Sequence, residues 1–434
     1  MDPSVSQMLR GRKGSCGHTC NLYVWTLRSC GIPIAVDYVP YWGNRGMGHS
    51  WNVLILEDDR IFPFDPFGEK RAVMPYKPAK VFRRMYSTNG RPEDAPSDKD
   101  VPSYLLMPNV KDVTAEYVKT FDVTLECDEV QPRRKNKYAV ICVFDKVSWK
   151  PIYWGKIRGN KVSFENMAGD VCYLAAYYND NGELIPLTNP FILTEDGNIK
   201  KMGNEITEKQ SITISRKYPK FPRMDVLARK LVASTIEGSN TREFTNVDTL
   251  MRINTPPIDV NDSILCSHKK YQYVRCNIPR HRTGDLAEIV FYGKISKEAP
   301  EVRLQGEIIG CPLPDNKNTM PFFMAMDGNY ETYFVKTKGN DGYVGLDLGK
   351  GNEHYITRVQ FCPRSDTNFI IIGNTYELCY WAHDRWISLG QKTANSHELV
   401  FDEVPKGQLY ILHNLTNGSE ERPFTYENGK QVWW

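Results

Sequence analysis

Three side chains near the start of the chain have the types and the order that nucleophilic catalysis by a thiol requires. Cys16 follows Gly14 and Ser15 and lies in the first turn of a predicted helix. The positive end of a helix dipole lowers the pKa of a thiol, which favours the reactive thiolate. A thiolate nucleophile needs a base, and the base needs a partner that orients it. Downstream, His49 and Asp65 are the candidates for these two roles.

The helix that carries Cys16 has one predicted packing face and a predicted end. Spacings of alternately four and three residues define this face, which comprises Cys16, Cys20, Tyr23, Leu27 and Cys30. Gly31 and Pro33 predict that the helix ends there. We expect Cys20 and Cys30 to pack in the core. Cys20 is the competing candidate for the nucleophile, although it lies one turn further into the helix.

His49 and Asp65 belong to a predicted β-hairpin. His49 opens a strand over residues 49–56, residues 57–59 form the turn, and the returning strand of residues 60–64 ends at Asp65. This hairpin predicts that the two side chains lie level on adjacent strands, within reach of a hydrogen bond. Each residue alone also fits an ordinary structural role, such as a hairpin histidine or a buried cysteine. The combination, in this order, favours a catalytic triad.

Four separated motifs in this region resemble the core of the transglutaminase-like superfamily. They agree with the family pattern in order and in distance, and they read Gly14-Ser15-Cys16, Leu27-Arg28-Ser29-Cys30-Gly31-Ile32-Pro33, His49-Ser50-Trp51-Asn52 and Phe64-Asp65-Pro66. The resemblance implies an α+β papain-like fold with Cys16, His49 and Asp65 as catalytic residues. It also implies acyl transfer or hydrolysis on peptide or carboxamide groups, with no cofactor needed for catalysis. We expect the C-terminal modules described below to target this activity to glycans or glycoproteins.

The resemblance leaves the oxyanion site incomplete. Only fifteen residues precede Cys16, fewer than the family usually has, so we expect either missing upstream sequence or a minimal domain. The backbone N–H of Cys16 can provide one donor. Gln7, Trp42 and Asn44 are the candidates for the second.

Composition and charge exclude several classes of protein. The 55 basic and 52 acidic residues nearly cancel, so the chain lacks the charge excess of a nucleic-acid-binding protein. The basic run at residues 133–137 is predicted to be a solvated hairpin loop. No apolar stretch approaches the roughly 20 residues that a membrane-spanning helix needs. Nucleic acid and a transmembrane segment are therefore not expected.

The cysteines and the N-terminus bear on metal binding and location. There are eleven cysteines, an odd number with no Cys-x-x-Cys pair, which argues against a zinc site and against a complete disulfide framework. The sequence does not begin with a signal peptide. Missing upstream sequence would also have removed a signal peptide, and we nevertheless predict an extracytoplasmic location, in the periplasm or at the cell surface.

The rest of the chain predicts a multidomain protein dominated by β-strands. The length corresponds to about three or four domains. The predicted boundaries are residues 1–87 for the cysteine domain, 104–218 for an Ig-like β-sandwich, 223–299 for a divergent jelly roll and 300–434 for a second jelly roll. A polar segment at residues 87–103 is the predicted linker.

Residues 326–334, 342–349 and 356–361 resemble discoidin-type galactose-binding-like modules, through an Asp-Gly-x-x-x-Thr turn followed by Leu-Asp-Leu-Gly. Such modules often bind carbohydrate and hold a structural calcium ion, for which Asp327 is the candidate ligand. Asp327, Trp381 and Trp386 are the candidate ligand-binding residues. Asp327 also fits a plain Asp-Gly turn, and the tryptophans also fit a core. The alternative function is a non-catalytic glycan- or protein-binding scaffold.

Overall fold

The computed structural model describes residues 3–57, 60–66, 74, 76–87, 96–127, 137–203, 206–312, 320–418 and 420–434. The chain is multidomain and mostly β. It forms two compact units. The first contains Met1–Lys217, Gly373–Ala394 and Glu398–Trp434, and the second contains Tyr218–Ile372 and Asn395–His397. The basic run predicted as a loop lies almost wholly outside the described residues.

The N-terminal part of the first unit packs a helix against an antiparallel sheet. Its elements are the helices α1 (Val5–Gly11) and α2 (Cys16–Ser29) and the strands β1 (Ile34–Val39), β2 (His49–Ile55), β3 (Ile61–Phe64), β4 (Phe82–Arg84) and β5 (Val110–Asp112). The sheet order is β3-β2-β1-β4-β5. Cys20 and Val24 of α2 are buried against Ile34 and Val36 of β1. Burying these side chains packs the helix that begins at Cys16 against β1. Strand β1 pairs with β2, which begins at His49.

The far edge of this sheet corrects the first predicted boundary. Strand β5 pairs with β4 through Phe82 and Asp112, so the sheet continues well past residue 87 and past the predicted linker. A three-residue strand after a polar segment gives little sequence signal, because its partner is distant in the chain. The next sheet in the chain therefore begins after β5 rather than at residue 104.

An eight-stranded sheet follows within the first unit. Its strands are β6 (Thr120–Glu126), β7 (Tyr138–Asp145), β8 (Ser148–Arg158), β9 (Lys161–Ala168), β10 (Val171–Tyr178), β11 (Leu184–Pro186), β12 (Phe191–Leu193) and β13 (Ile199–Lys201). The order is β13-β12-β10-β7-β8-β9-β6, with β11 on β10. Alternate residues of β7 enter two separate cores, Ile141 in one and Val140 in the other. Both faces of this strand are thus buried, as its continuous apolar run requires. Strand β14 (Lys209–Ile214) comes next in the chain.

The second unit is built on two facing sheets. Its elements are the helix α3 (Pro222–Ala228) and the strands β15 (Thr235–Ser239), β16 (Val247–Arg252), β17 (Asn261–Ile264), β18 (Tyr273–Ile278), β19 (Gly284–Lys294), β20 (Val302–Arg303), β21 (Glu307–Cys311), β22 (Phe334–Lys336), β23 (Gly342–Asp347) and β24 (Tyr355–Pro363). One sheet has the order β16-β15-β18-β23-β21, and the other has β17-β24-β19-β20 with β22 on β19. Both contribute to one core.

This pairing corrects the predicted division at residue 300. Strand β18 pairs with β23, and β19 pairs with β24, so strands from both predicted jelly rolls share sheets and a core. The C-terminal strands are in the first unit instead. They are β25 (Thr375–Ala382), β26 (Arg385–Thr393), β27 (Leu399–Pro405), β28 (Tyr410–Asn414), β29 (Phe424–Glu427) and β30 (Lys430–Trp433). Strand β27 pairs with β14, so the second unit is inserted between two paired strands of the first.

Candidate active site

Cys16 is the first residue of α2, and local capping fixes the start of that helix. The Ser15 hydroxyl accepts the His18 N–H at 3.3 Å, and the Ser15 N–H donates to His18 Nδ1 at 3.1 Å. This reciprocal cap provides hydrogen-bond acceptors for two backbone N–H groups at the start of the helix. The helix therefore starts at the residue that carries the thiol, as the sequence predicted.

His49 and Asp65 lie at neighbouring ends of the β2–β3 hairpin. The imidazole Nε2–H donates to Asp65 Oδ2 at 3.0 Å. The register, with Asn52 opposite Phe64, places Asp65 diagonal to His49 rather than level with it as predicted. Diagonal neighbours on one face of a sheet remain within reach of long side chains. This hydrogen bond leaves Nδ1 as the ring nitrogen that is available to the thiol.

The electrostatics of the site favour an ionised thiol. The hydrogen bond with His49 is the largest cause that lowers the pKa of Cys16, from 9.0 to about 7. Burial opposes this shift, and the Ser50 and Gly17 backbone N–H groups reinforce it. In return, the hydrogen bond to Cys16 raises the pKa of His49, assisted by Asp65 and opposed by burial. Cys16 and His49 therefore favour each other's charged forms.

The other two cysteines of the helix region have different environments. Cys20 is fully buried, and burial raises its pKa to about 12, so it is unsuited to act as the nucleophile. Cys30, predicted to pack in the core, is exposed, because it follows the last helical residue and Val24 occupies the packing face instead. All eleven cysteines are among the described residues, and each is a free thiol.

Asn52 joins the helix to the sheet directly beneath the site. Its side chain is fully buried, and Nδ2 donates to Cys20 O at 3.1 Å and to Ala35 O at 3.3 Å. Because Asn52 lies on β2, three residues after His49, it ties the helix of the thiol to the strand of the imidazole. Asn52 has no predicted role, although it belongs to the motif His49-Ser50-Trp51-Asn52. A polar residue within a predicted strand was the available signal.

Two buried tryptophans and an ion pair support the His49 strand. The Trp42 ring packs on the His49 ring, with centroids 6.4 Å apart, and on Trp51, also at 6.4 Å. Trp51 Nε1 donates to Tyr117 Oη at 3.0 Å, and Tyr117 donates to Asp37. Arg83 binds both Asp37 oxygens at 2.8 and 2.9 Å. Removing one partner of such a buried pair typically costs about 3–5 kcal/mol, so this network is a strong structural constraint.

Two of the three candidates for the second oxyanion donor have structural contacts. Gln7 Oε1 accepts the Ser4 N–H at 2.8 Å and completes the cap of α1. Asn44 Oδ1 accepts the Lys77 N–H at 2.8 Å and supports a loop. Trp42, the third, is 4% exposed and lies against His49. The N–H groups that point toward the sulfur are those of Gly17 and Ser50.

Asp327 lies in a tight turn of the second unit. Its oxygens accept the Thr332 hydroxyl at 2.8 and 3.0 Å, and Oδ1 also accepts the Asn329 N–H at 2.9 Å. Next to this turn, Glu288 on β19 is 4% exposed, and its Oε2 accepts the Gly328 N–H at 3.0 Å. Its Oε1 is buried and has no hydrogen-bond partner among the residues that the structure describes. Burial raises the pKa of Glu288 to about 7.

The predicted tryptophan ligands are part of a core. Trp381 is 3% exposed, packs edge-on against Trp149 and Trp386, and donates its Nε1–H to Asn189 at 3.2 Å. Trp386 is partly buried in the same cluster. Both belong to the first compact unit, whereas Asp327 belongs to the second. The contacts of the two tryptophans fit the core role that the sequence also allowed, and ligand binding by Asp327, Trp381 or Trp386 stays a prediction.

A comparison with models of known protein families finds a match in the first part of the chain. A family model described as the Transglutaminase-like superfamily matches residues 2–66. This segment contains Cys16 and His49 and ends one residue after Asp65. No curated protein matches the chain as a relative. The discoidin-type resemblance of the later residues is not confirmed by a family match. No helix within the described ranges has the length and apolar character to cross a membrane.

Proposed function

We propose that the N-terminal part of the first unit is a papain-like, transglutaminase-type domain that transfers an acyl group through Cys16. The observation that carries this proposal is the linked geometry of the site. A thiol at the start of a helix interacts with an imidazole whose second nitrogen donates to Asp65 at 3.0 Å. Nucleophile, base and orienting acid in hydrogen-bonded series are the parts that covalent acyl transfer requires.

The reaction begins when His49 Nδ1 takes the proton of the Cys16 thiol. The thiolate attacks the carbonyl carbon of a carboxamide or peptide bond, and the Cys16 N–H donates to the developing oxyanion. The protonated imidazole then gives its proton to the departing amine, which leaves a thioester on Cys16. Asp65 holds the ring in one orientation and stabilises its positive charge throughout.

Water or an amine resolves the thioester. His49 removes a proton from the attacking molecule, the new bond to carbon forms, and the Cys16 thiolate leaves. An assay with a glutamine-containing peptide and a fluorescent primary amine tests the proposal. We expect release of ammonia together with either labelled peptide or free acid. If neither product forms above the uncatalysed rate, with peptide-bond and glycoprotein substrates also inert, the non-catalytic scaffold becomes the better account.

We also propose a structural calcium ion in the second unit, held by Glu288 and Asp327. The orphaned buried oxygen of Glu288 fits this group, because calcium binds carboxylate and backbone carbonyl oxygens. Among the described residues no cluster of three or more His, Cys, Asp or Glu side chains could hold a metal. Backbone carbonyls and water would supply the remaining ligands. The ion would neutralise a buried charge and link β19 to the Asp327 turn.

Chelation should lower the unfolding temperature of the second unit in the wild-type protein at pH 8. A free calcium concentration 100-fold above Kd stabilises a folded state by about 2.7 kcal/mol.

In chelator, the stability of the second unit should also depend on pH. Burial makes ionised Glu288 unfavourable in the folded state, so stability should fall as the pH rises from 4.5 toward 7. Glu288→Gln should remove both the calcium and the pH dependence. Hydrogen exchange of the β19 amides during heating measures the unfolding temperature of the second unit. Identical protection of these amides with calcium and with chelator, and no calcium found by elemental analysis, would contradict the calcium proposal.

A further inference from the structure

The loop that precedes His49 carries the aromatic ring on which His49 packs. This loop, residues 40–48, is called here the histidine loop. Its Trp42 N–H donates to Met47 O at 3.1 Å, which closes the loop on itself. The Trp42 ring is 4% exposed and nearly parallel to the His49 ring, at 27°. The position of the loop therefore determines the position of the surface that the imidazole contacts.

Parts of the first unit outside the N-terminal sheet hold the histidine loop. The Gly43 N–H donates to Lys77 O at 2.7 Å, and the Met47 N–H donates to Asp145 Oδ1. Asp145 ends β7 of the eight-stranded sheet. At Gly43 a Cβ would lie 2.7 Å from Val171 Cγ2, so only glycine allows this close approach to β10. The loop is thus packed against the eight-stranded sheet rather than left to solvent.

Arg422, just before β29, also contacts the loop. Its guanidinium is fully buried and donates Nη2–H to Gly43 O, Nη1–H to Phe144 O at 2.7 Å and Nε–H to Trp434 O. One planar side chain therefore binds three backbone carbonyls, from the histidine loop, the eight-stranded sheet and the C-terminal residue. The guanidinium holds its N–H donors in one rigid plane, directed at three separate carbonyls.

We propose that Arg422 is a positioning residue for His49, acting through Gly43 and Trp42 of the histidine loop. This inference rests on the proposed function, since it concerns the same thiol and imidazole. Loss of the guanidinium leaves the Gly43 carbonyl without its donor and frees one side of the loop. The Trp42 ring then no longer holds the imidazole in the orientation that bonds both Cys16 and Asp65. The C-terminal strands of the unit thereby contribute to the reactivity of a thiol near the N-terminus.

The test compares Arg422→Met and Arg422→Lys in the full-length protein. We measure the alkylation rate of Cys16 by peptide mapping from pH 5 to 10. Because His49 lowers the pKa of the thiol, its misplacement should raise the midpoint of alkylation by about one pH unit in Arg422→Met. Arg422→Lys, whose ammonium can reach fewer carbonyls, should give a smaller rise in the same direction.

Lys336→Met is the matched control. Lys336 is also fully buried, and its ammonium donates to three backbone carbonyls, those of Pro279, Arg280 and Arg282, at 2.7, 3.2 and 2.6 Å. It lies in the second unit, so its loss should lower stability and leave the Cys16 midpoint unchanged. If both Arg422 variants keep the wild-type midpoint, Arg422 is merely structural and the inference fails. A wild-type midpoint near 9 would instead overturn the proposed function itself. If Arg422→Met does not fold, the midpoint of Arg422→Lys decides.

Discussion

Cys16→Ala should lower the turnover of the glutamine peptide by roughly 10⁴-fold or more, the scale found when the nucleophile of a catalytic triad is removed. No other thiol can substitute in the mechanism. Cys20 lies in the core with its pKa raised to about 12, so its thiolate is scarce at neutral pH. The matched control is Cys30→Ala, which removes an exposed thiol just after the same helix.

The comparison between these two variants distinguishes catalysis from general damage to the helix. Cys30→Ala should keep the wild-type rate, and both variants should unfold at similar temperatures. Equal turnover by wild type and Cys16→Ala would show that any observed activity comes from another site or from a contaminant.

His49→Ala should produce the second large effect, on the chemical reactivity of the thiol. Without the imidazole the pKa of Cys16 should return from about 7 toward 9.0. At pH 6 this change lowers the thiolate fraction by roughly 100-fold, while the more basic thiolate is roughly eightfold more nucleophilic, for a net loss of about tenfold. The measurement is the alkylation rate of Cys16 by iodoacetamide, followed by peptide mapping.

Asp65→Asn provides the graded control for this measurement. The amide can still accept a hydrogen bond from His49 but no longer stabilises its positive charge, so alkylation should slow less than in His49→Ala. The scaffold alternative makes a different prediction, because a structural thiol owes nothing to the imidazole. Equal rates in wild type and His49→Ala would support that alternative.

The proximity of Cys16, His49 and Asp65 could be predicted because its determinants are local in sequence, whereas their catalytic roles stay a prediction. Ser15 caps the helix that begins at Cys16, and Gly31, with φ of +78°, follows its end. A short hairpin then brings His49 and Asp65 together. Caps, glycine turns and short hairpins depend on neighbouring residues, so short separated motifs were enough to predict this arrangement. The diagonal register of the hairpin was missed, because one or two residues in the turn decide it.

The domain boundaries could not be predicted, because they depend on strand pairs that are distant in the chain. Strand β14 pairs with β27 across roughly 190 residues, with Ile212 opposite Phe401. Alternating apolar residues identify each strand but not its partner. For the same reason the buried position of Arg422 could not be predicted, because its carbonyl partners include Gly43 and Phe144, which are distant in the chain. A charged residue near a strand appears solvent-exposed until the fold surrounds it.

The packing of the tryptophans could not be predicted for a related reason. An aromatic side chain in a strand fits a sugar-stacking surface or a core equally well. The environment of Trp381 depends on residues from another part of the first unit. Trp149 packs edge-on against its ring, and Asn189 accepts its indole N–H. Sequence alone contains no signal for that packing.

The pH dependence of Cys16 alkylation in the wild-type protein tests the central claim most directly. It needs no substrate, and it reports the thiol, the imidazole and their contact in one curve. The arrangement predicts a midpoint near 7, because the hydrogen bond with His49 favours the thiolate. It also predicts that Cys16 reacts at pH 6 well before the buried Cys20. A midpoint at or above 9, with Cys16 labelled no faster than Cys20, would contradict the claim that this site is built for nucleophilic catalysis.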